Sequence, residues 1–362
     1  MKKGQMKVFG VILAGGRGER FWPESRRRNP KQLLRIVGEF SLLETTVERI
    51  RSNIPLSRLL VVTTQDLSLP IRKLLPNLNE ENILLEPMGR NTAVAIAYAA
   101  SIIYCREPDS IMVVLPADHD IRDKGKFLRT LEIAQKVAGK DFLVTFGIVP
   151  TRPETGYGYI EVSDKLLLTG EIPVHRASAF KEKPNLKLAR SFVKSGRYLW
   201  NSGMFVWKVN TIMEAFKSHM PMLYSGMSGL KEALSGKSCE DEVTKFYWNA
   251  ESMSIDYGVM ERAKNVAVVR ADFSWDDVGS WSALARLSEK DEDGNVRIGD
   301  FVGLDTKDCI VYSKGGLVAA IGIDNLIIIR ANDATLVCKK DRAQDVKRLV
   351  SLLCQEEHEK YL

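Results

Sequence analysis

Short runs of apolar and β-branched residues alternate, in the first 150 residues, with longer stretches in which apolar residues recur at helical spacing. Apolar runs that end at turn residues are typical of buried strands, here at 8–13, 59–64, 83–85, 111–115 and 142–149. Ser41 and Glu44 form a capping box that predicts the start of one helix. Asn91 is a good N-cap for another helix, which ends near Arg106.

Strands that alternate with helices at this spacing indicate βαβ units. They predict an α/β fold, in which a mostly parallel, mixed sheet carries helices on both faces. Ligands of such sheets bind beyond the carboxyl ends of the strands, so we expect the site to form from residues that directly follow them. Residues 151–290 continue this domain, with strands at 158–162 and 202–209 and helices at 186–194 and 210–219.

The pattern changes after the acidic turn at 291–294. Short strands follow at 310–312, 317–321, 326–330 and 335–338, separated by Gly, Asn and Asp turns. A helix from about Arg342 to Glu356 would then have one apolar face, formed by Ala343, Val346, Leu349, Val350 and Leu353. The chain is therefore predicted to comprise a large domain, 1–290, and a small all-β domain closed by a helix, 291–362.

Composition and charge narrow the class of protein. The chain has 362 residues, 45% of them hydrophobic, and a net charge of +6, a surplus too small for a protein that coats nucleic acid. Its five cysteines are scattered without a CxxC pair, which disfavours a disulfide framework or a zinc–cysteine site and fits a reducing compartment. The apolar stretches fall short of the ~18 residues of a membrane span, and the run at 8–13 is too short for a signal peptide. We expect a cytoplasmic protein with no nucleic-acid or membrane partner.

A glycine-rich loop directly follows the first predicted strand. It reads LAGGRGERFWP from Leu13 to Pro23 and is followed by Pro30, Lys31 and Gln32. Glycines allow backbone N–H groups to approach and cradle phosphates, and Arg20 and Lys31 can add fixed positive charge. No Gly-Lys-Ser/Thr follows as in a Walker A loop, and Phe21 stands where a dinucleotide fingerprint requires glycine. The loop is thus predicted to bind phosphates, but as neither a Walker A loop nor a dinucleotide-binding loop. The three arginines at 26–28 are predicted to form a solvated basic loop.

Two aspartates follow later strand-like segments. Asp118 comes after the apolar run at 111–115, and Asp277 lies in a turn after Trp275, with Asp276 as the alternative. Mg²⁺ bound with phosphates prefers one or two protein carboxylates together with phosphate oxygens and water. Asp118 and Asp277 are therefore candidates to hold Mg²⁺, while His119 is predicted to be structural because nothing near it completes a zinc site.

The motifs of this chain resemble those of the sugar nucleotidyltransferase family and occur in the same order along the chain. The resemblance rests on the loop at 13–20 with 30–32, and on segments 86–93, 117–119, 156–160, 180–184, 200–205, 254–258 and 275–281. These segments are similar to the branch of the family that joins GTP and mannose 1-phosphate to give GDP-mannose and pyrophosphate. The resemblance implies a Rossmann-like catalytic domain and a short left-handed β-helix carrying a final helix, a tail that commonly mediates homodimers.

The resemblance also implies roles for individual residues. It makes Arg20 and Lys31 catalytic, and it assigns Mg²⁺ to Asp118 and Asp277. The implied nucleotide-binding residues are Leu13, Ala14, Gly15, Gly16, Gly18, Glu86, Pro87, Arg90, Asn91 and Thr92. The implied sugar-phosphate-binding residues are Gly158, Glu182, Lys183 and Asn201.

Some of these roles have structural alternatives. Glu86 could accept the N–H groups of guanine or could support its loop, and Arg90 and Asn91 could simply shape that loop. Outside the motif context, Glu182 and Lys183 would be typical of a solvated loop.

Two functional alternatives stay open at this point. The acceptor could be another sugar 1-phosphate, such as that of fucose or a heptose, because the motifs define phosphate geometry better than sugar hydroxyls. The chain could also be a catalytically silent paralogue that binds a nucleotide sugar. Such paralogues usually lose a charged residue of the phosphate or metal set, and all of these are present here.

Overall fold

A computed structural model of the chain describes residues 6–168, 171–234, 239–331, 333–355 and 358–362. The strands are β1 Val8–Leu13, β2 Leu59–Thr64, β3 Ile83–Glu86, β4 Ile111–Pro116, β5 Asp120–Ile121, β6 Leu143–Ile148, β7 Tyr159–Leu168, β8 Val174–Lys181, β9 Tyr198–Lys208, β10 Val266–Ala271, β11 Trp275–Asp276, β12 Val296–Ile298, β13 Phe301–Leu304, β14 Ile310–Ser313, β15 Val318–Ile321, β16 Leu326–Ala331 and β17 Ala334–Lys339. The helices are α1 Leu42–Ile50, α2 Ser68–Leu74, α3 Asn91–Arg106, α4 Lys124–Ala138, α5 Leu186–Ser195, α6 Val209–His219, α7 Pro221–Leu234, α8 Cys239–Asn249, α9 Leu284–Leu287 and α10 Val346–Gln355.

The first domain is built on a nine-stranded sheet in the order β3-β2-β1-β4-β9-β6-β10-β8-β7. Strands β3, β2, β1 and β4 run parallel, whereas β9 is antiparallel to both β4 and β6. Helices pack on both faces, because alternate residues of a buried strand point to opposite sides. In β1, Ile12 belongs to the core beneath α1 and α4, and Val11 belongs to the core beneath α3 and α6. The predicted α/β class with a mixed sheet is confirmed.

The parallel arrangement brings several chain segments to one edge. Leu13 at the end of β1 pairs with Val62 of β2 and with Pro116 of β4. Thr64 of β2 in turn pairs with Glu86 at the end of β3. The glycine-rich loop, the segment after Glu86 and the segment after Pro116 therefore emerge side by side.

The second domain consists of stacked parallel coils. Strands β12, β14 and β16 form one parallel ladder, β13 and β15 form another, and β17 closes the first ladder in the antiparallel direction. Strands were predicted at four of these places and are found there. The boundary after residue 290 stays a prediction.

One predicted helix start and one predicted N-cap are wrong, although α3 itself spans Asn91–Arg106 as expected. The last helix begins at Val346 rather than Arg342, since Lys340–Asp345 forms a 3₁₀ turn in which Arg342 and Asp345, three residues apart, form an ion pair. Its predicted last residue, Glu356, lies outside the described residues. Asn91 does not cap α3: its φ is +67°, and its side chain accepts only from the N–H of Thr92. The capping box of Ser41 and Glu44 at α1 is confirmed.

The apolar face of α10 joins the two domains. Val346 is buried, and Leu349, Val350 and Leu353 pack in the same cluster, which contains Phe21 and Trp22 from the first domain. The aromatic side chain of Trp22 donates from Nε1 to the carbonyl of Tyr361 at 2.7 Å. The final helix therefore packs directly against the end of the glycine-rich loop.

The arginine cluster divides between two environments. Arg26 has only 15% of its side chain exposed, and it donates to the carbonyl of Tyr361 and to Asp333. The predicted solvated loop is therefore wrong for Arg26, because the second domain covers this guanidinium. Arg27 and Arg28 are exposed as predicted.

The four cysteines whose side chains are described carry free thiols. Within the described ranges, no helix combines the length and apolarity needed to cross a membrane.

Candidate active site

The glycine-rich loop is held against a second motif that follows it. A 3₁₀ turn at Lys31–Leu33 lies next to Gly18, whose φ is +62°. A Cβ atom at Gly18 would lie 2.3 Å from Cβ of Lys31, so only glycine fits this turn and this approach. Gln32 completes the attachment, because its amide donates to the carbonyls of Ala14 at 2.7 Å and Gly16 at 2.9 Å.

Lys31 connects the loop with two later segments of the chain. Its side chain is buried, and Nζ lies 2.7 Å from Oδ2 of Asp118 and 2.6 Å from the backbone carbonyl of Asp277. The ammonium is therefore fixed at the junction of three segments that lie far apart in sequence. A charge fixed in this way needs no reorganisation to stabilise an anion placed beside it.

Asp118 and Asp277 differ in their ionisation. Burial acts to raise the pKa of Asp118, but the Lys31 ammonium outweighs it and holds that pKa below its ordinary value. Burial raises the pKa of Asp277, although Lys31 and the Tyr157 hydroxyl oppose the effect. The Tyr157 hydroxyl donates to Oδ1 of Asp277 at 2.6 Å. Because burial and the neighbouring carboxylates raise the pKa of Tyr157, the hydroxyl keeps its proton and acts as a fixed donor.

Asp276 and His119 serve other contacts. Asp276 is buried and accepts two hydrogen bonds from Arg286, at 2.6 and 2.9 Å, together with the N–H of Val278. Its oxygens are thus occupied, whereas Asp277 faces the cleft. Burial lowers the pKa of His119 to about 4, and its neutral ring accepts from Nε1 of Trp275 at 3.2 Å. This contact agrees with a structural role for His119.

A cleft of about 480 Å³ runs along the carboxyl ends of the strands. It is bounded on one side by the glycine-rich loop and on the other by side chains from β9 and from the segment after α8. Twelve of the predicted site residues line it: Leu13, Gly15, Gly16, Glu86, Arg90, Asn91, Thr92, Asp118, Gly158, Glu182, Asn201 and Asp277.

Two further cavities adjoin this cleft. A cavity of about 440 Å³ shares Asp118 and Asp277 with the cleft and is also lined by Gly18, Arg20 and Lys31. Pro87 lines a third cavity, next to the glycine-rich loop. Arg20 is exposed at the surface of the second cavity, where it is accessible to an anion.

Two predicted site residues lie apart from the cavities. Ala14 is buried, and its backbone is engaged with Val62 and Gln32. Lys183 is exposed, has φ of +44°, and places Nζ 2.5 Å from Oε1 of Glu182. To reach a ligand in the cleft, Lys183 would have to leave this ion pair.

One end of the cleft carries a buried carboxyl group. Burial raises the pKa of Glu86 to about 7, so its carboxyl group changes charge near neutral pH. Arg90 in the same loop donates to the carbonyls of Tyr247 and Trp248, and Thr92 accepts from the N–H of Ile255. Arg90 and Thr92 thus also anchor their loop to the helical layer.

The opposite end of the cleft presents a cluster of polar side chains. The Asn201 amide donates to Oδ1 of Asp256 at 2.6 Å, and burial raises the pKa of Asp256 to about 6. A Cβ atom at Gly158 would lie 2.4 Å from Oε2 of Glu182, so a larger residue there would displace this carboxylate. Oxygens and an amide at these positions can bind vicinal hydroxyl groups.

Sequence reasoning missed four side chains that belong to this site: Gln32, Tyr157, Asp256 and Lys347. The first three stand inside the recognised motifs, so their position in those motifs was an available signal. Lys347 lines the 440 Å³ cavity from the second domain, more than 300 residues along the chain from the glycine-rich loop.

The two carboxylates fit a divalent cation that also binds phosphate. Asp118 and Asp277 line the same cavity. The described part of the chain contains no cluster of three or more His, Cys, Asp or Glu residues placed to hold a metal ion. Mg²⁺ with few protein carboxylates, completed by phosphate oxygens and water, has this donor set.

Comparison with known proteins relates both domains to described families. A sequence model of the nucleotidyl transferase family matches residues 9–294, and one of the mannose-phosphate isomerase/GMP-like β-helix domain matches residues 299–353. A mannose-1-phosphate guanylyltransferase of Klebsiella pneumoniae is 39% identical over 97% of this chain and 75% of its own length. The alginate biosynthesis protein AlgA of Pseudomonas fluorescens is 40% identical over 95% of this chain and 71% of its own.

A solved structure agrees with these sequence relatives. The crystal structure of a protein named as a mannose-1-phosphate geranyltransferase, from Thermus thermophilus, superposes with a TM-score of 0.86. It is 36% identical and covers 96% of this chain and 99% of its own. The chain therefore belongs to the nucleotidyl transferase family and, within it, to the mannose-1-phosphate guanylyltransferases.

Proposed function

We propose that this chain transfers a guanylyl group from GTP to α-D-mannose 1-phosphate, which yields GDP-mannose and pyrophosphate. The observation that carries the proposal is the position of Lys31, fixed between Asp118 and Asp277 where the long cleft meets the 440 Å³ cavity. A reaction that cleaves a triphosphate needs its nucleophile on one side of the α-phosphorus and its leaving group on the other. The two spaces share Asp118 and Asp277, both of which contact Lys31, and they would supply those two sides.

The reaction forms one P–O bond and breaks another, both at the α-phosphorus of GTP. An oxygen of the sugar phosphate attacks the α-phosphorus in line, and the bond to the β-phosphate oxygen breaks, so pyrophosphate leaves with the bonding electrons. The second pKa of a phosphate monoester is near 6, so the nucleophile is already largely ionised at neutral pH. No general base is required, and positioning and charge stabilisation supply the catalysis.

The residues of the two spaces divide the substrates between them. The backbone of Gly15, Gly16 and Gly18 with Arg20 and Lys31 would bind the phosphates, and Glu86 with the loop after it would contact guanine. Gly158, Glu182 and Asn201 would bind the mannose hydroxyls. Lys183 would meet the phosphate of the sugar after leaving Glu182.

Asp118 and Asp277 would hold Mg²⁺ together with phosphate oxygens. Bound there, the ion would supply positive charge to the phosphates. A divalent metal is typical of this family. Tyr157 keeps Asp277 in one orientation through its hydroxyl hydrogen bond, and Lys31 does the same for Asp118.

A homodimer is part of the proposal. The outer face of the β13–β15 ladder carries Val302, Leu304 and Ile321, of which 60%, 59% and 73% are exposed. An exposed apolar face of this kind fits a second copy of the same chain.

The test is pyrophosphate release across a grid of nucleoside triphosphates and sugar 1-phosphates, with and without Mg²⁺. We expect a Mg²⁺-dependent maximum at GTP with mannose 1-phosphate. A maximum at GTP with the 1-phosphate of fucose or a heptose would keep the chemistry and overturn the acceptor. No release with any pair, from a protein that still binds GDP-mannose, would favour the silent paralogue.

A further inference from the structure

The second domain places one cation in the phosphate side of the site. Lys347, the second residue of α10, lines the 440 Å³ cavity together with Arg17, Arg20 and Lys31. It belongs to a different domain from the other three. Its position therefore depends on how α10 packs against the end of the glycine-rich loop.

That packing is extensive and specific. Val346 is buried beside Lys347, and the apolar face of α10 packs in one cluster with Phe21 and Trp22. The backbone carbonyl of Tyr361 accepts from both Trp22 and Arg26, which ties the residues after α10 to the same loop. Lys347 is consequently held at a defined place, although 61% of its side chain is exposed.

The ammonium of Lys347 is only weakly engaged. Its described ion pair, with Oε2 of Glu19, spans 3.9 Å, which is longer than a hydrogen bond. By contrast, Lys31 makes two contacts shorter than 2.8 Å. Of these two lysines, Lys347 is thus the one that can turn toward an incoming anion without breaking a hydrogen bond to Asp118.

The chemistry of the cavity indicates which anion this is. Arg17, Arg20 and Lys347 surround the part of the cavity that lies away from the long cleft, while Asp118 and Asp277 lie where the two spaces meet. The sugar phosphate would occupy the cleft, so the group on the far side of Lys31 is the pair of phosphates that leaves. That group carries more negative charge than any other part of either substrate.

We propose that Lys347 binds the β- and γ-phosphates of GTP, and hence the pyrophosphate product, so that the second domain completes the nucleotide site. The inference rests on the proposed function, which supplies the direction in which pyrophosphate leaves. It predicts that loss of this charge weakens ligands that carry β- and γ-phosphates. Ligands without a γ-phosphate, such as GDP-mannose, leave this part of the cavity empty and keep their affinity.

The experiment measures the binding of single ligands, without turnover, to Lys347→Gln, Lys347→Arg and the unaltered chain. Titration calorimetry with Mg²⁺ gives the dissociation constants of pyrophosphate, GTP and GDP-mannose. We expect Lys347→Gln to weaken pyrophosphate and GTP about five- to tenfold, as for one partly exposed charged contact, and to change GDP-mannose less than about twofold. Lys347→Arg keeps the charge and should stay within about threefold of the unaltered chain.

Arg348→Gln is the matched control, because Arg348 is the next residue of α10, is 82% exposed, and pairs with Asp345 rather than with the cavity. Glu19→Gln should have the opposite effect and strengthen pyrophosphate binding, since it removes the negative charge beside Lys347.

Three results would overturn the proposal. Unchanged pyrophosphate affinity in Lys347→Gln would show that the lysine makes no contact. If Arg348→Gln weakened pyrophosphate binding as much as Lys347→Gln, the loss would come from the lower net charge of the chain. If Lys347→Gln weakened GDP-mannose binding as much as pyrophosphate binding, the substitution would have disturbed the loop. Failure of the proposed function is distinguishable, because it would leave the unaltered chain unable to release pyrophosphate from GTP and mannose 1-phosphate.

Discussion

Replacement of Lys31 by methionine tests the central contact of the site. Methionine keeps the Cβ atom that packs against Gly18 and most of the stem, but it removes the ammonium that contacts Asp118 and the carbonyl of Asp277. Removing one partner of a fully buried ion pair costs about 3–5 kcal/mol of stability. Because 34% of the Asp118 side chain is exposed, solvent screens part of this loss, and about 1–2 kcal/mol is the expected decrease in the free energy of unfolding.

The expected loss of activity is larger than the loss of stability explains. A preorganised charge beside the reacting phosphate contributes on the order of 100-fold in turnover, or roughly 2.7 kcal/mol of transition-state stabilisation. We therefore expect Lys31→Met to remain folded and to lose at least about 100-fold in kcat at saturating GTP and mannose 1-phosphate. The assays are pyrophosphate release and urea unfolding of the same preparations.

A double variant separates the two effects. Lys31→Met with Asp118→Asn removes both charges of the pair, so most of the lost stability should return while the activity stays low. Turnover of Lys31→Met within about tenfold of the unaltered chain would refute the role of the ammonium. Stability that does not recover in the double variant would refute the assigned pairing with Asp118.

Three further predictions follow from contacts around the site. Tyr157→Phe removes the donor to Oδ1 of Asp277, so we expect kcat to fall about tenfold and more Mg²⁺ to be needed for half-maximal activity. Tyr159→Phe is the control, because the Tyr159 hydroxyl contacts the N–H of Glu154 instead. An unchanged Mg²⁺ titration of Tyr157→Phe would contradict the role assigned to Tyr157. Burial raises the pKa of Glu86 from 4.5 to about 7, so the folded chain binds more protons than the unfolded chain between these values and loses stability as pH rises through them. In Glu86→Gln the free energy of unfolding should fall by up to about 3 kcal/mol less between pH 5 and pH 8 than in the unaltered chain, as measured by urea unfolding. An identical fall in both proteins would refute the raised pKa of Glu86. Ile321→Lys should shift the chain from dimer to monomer in light scattering, and a monomeric unaltered chain would exclude the proposed interface.

Local sequence was sufficient for those parts of the fold in which short-range chemistry decides the structure. The run at 8–13 became β1, because its apolar, β-branched composition fits a strand buried on both faces. The capping box at Ser41 starts α1, since its hydrogen bonds join residues only three apart. Other local contacts, at Asn91 and Arg342, made the predicted N-cap of α3 and the predicted start of α10 wrong.

The sequence by itself determined which chemical groups are present and that they follow strands of a parallel sheet, which is enough to bring Asp118 near the glycine-rich loop. Only the tertiary structure shows that Asp277 rather than Asp276 faces the cleft. Neighbouring side chains in extended backbone point in opposite directions, and here Arg286 occupies Asp276. Only the tertiary structure brought Lys31 to the carbonyl of Asp277, 246 residues away, and Lys347 to the same cavity. The physical reason is that such contacts depend on how whole elements pack, and packing is a sum over many weak interactions that no short segment contains.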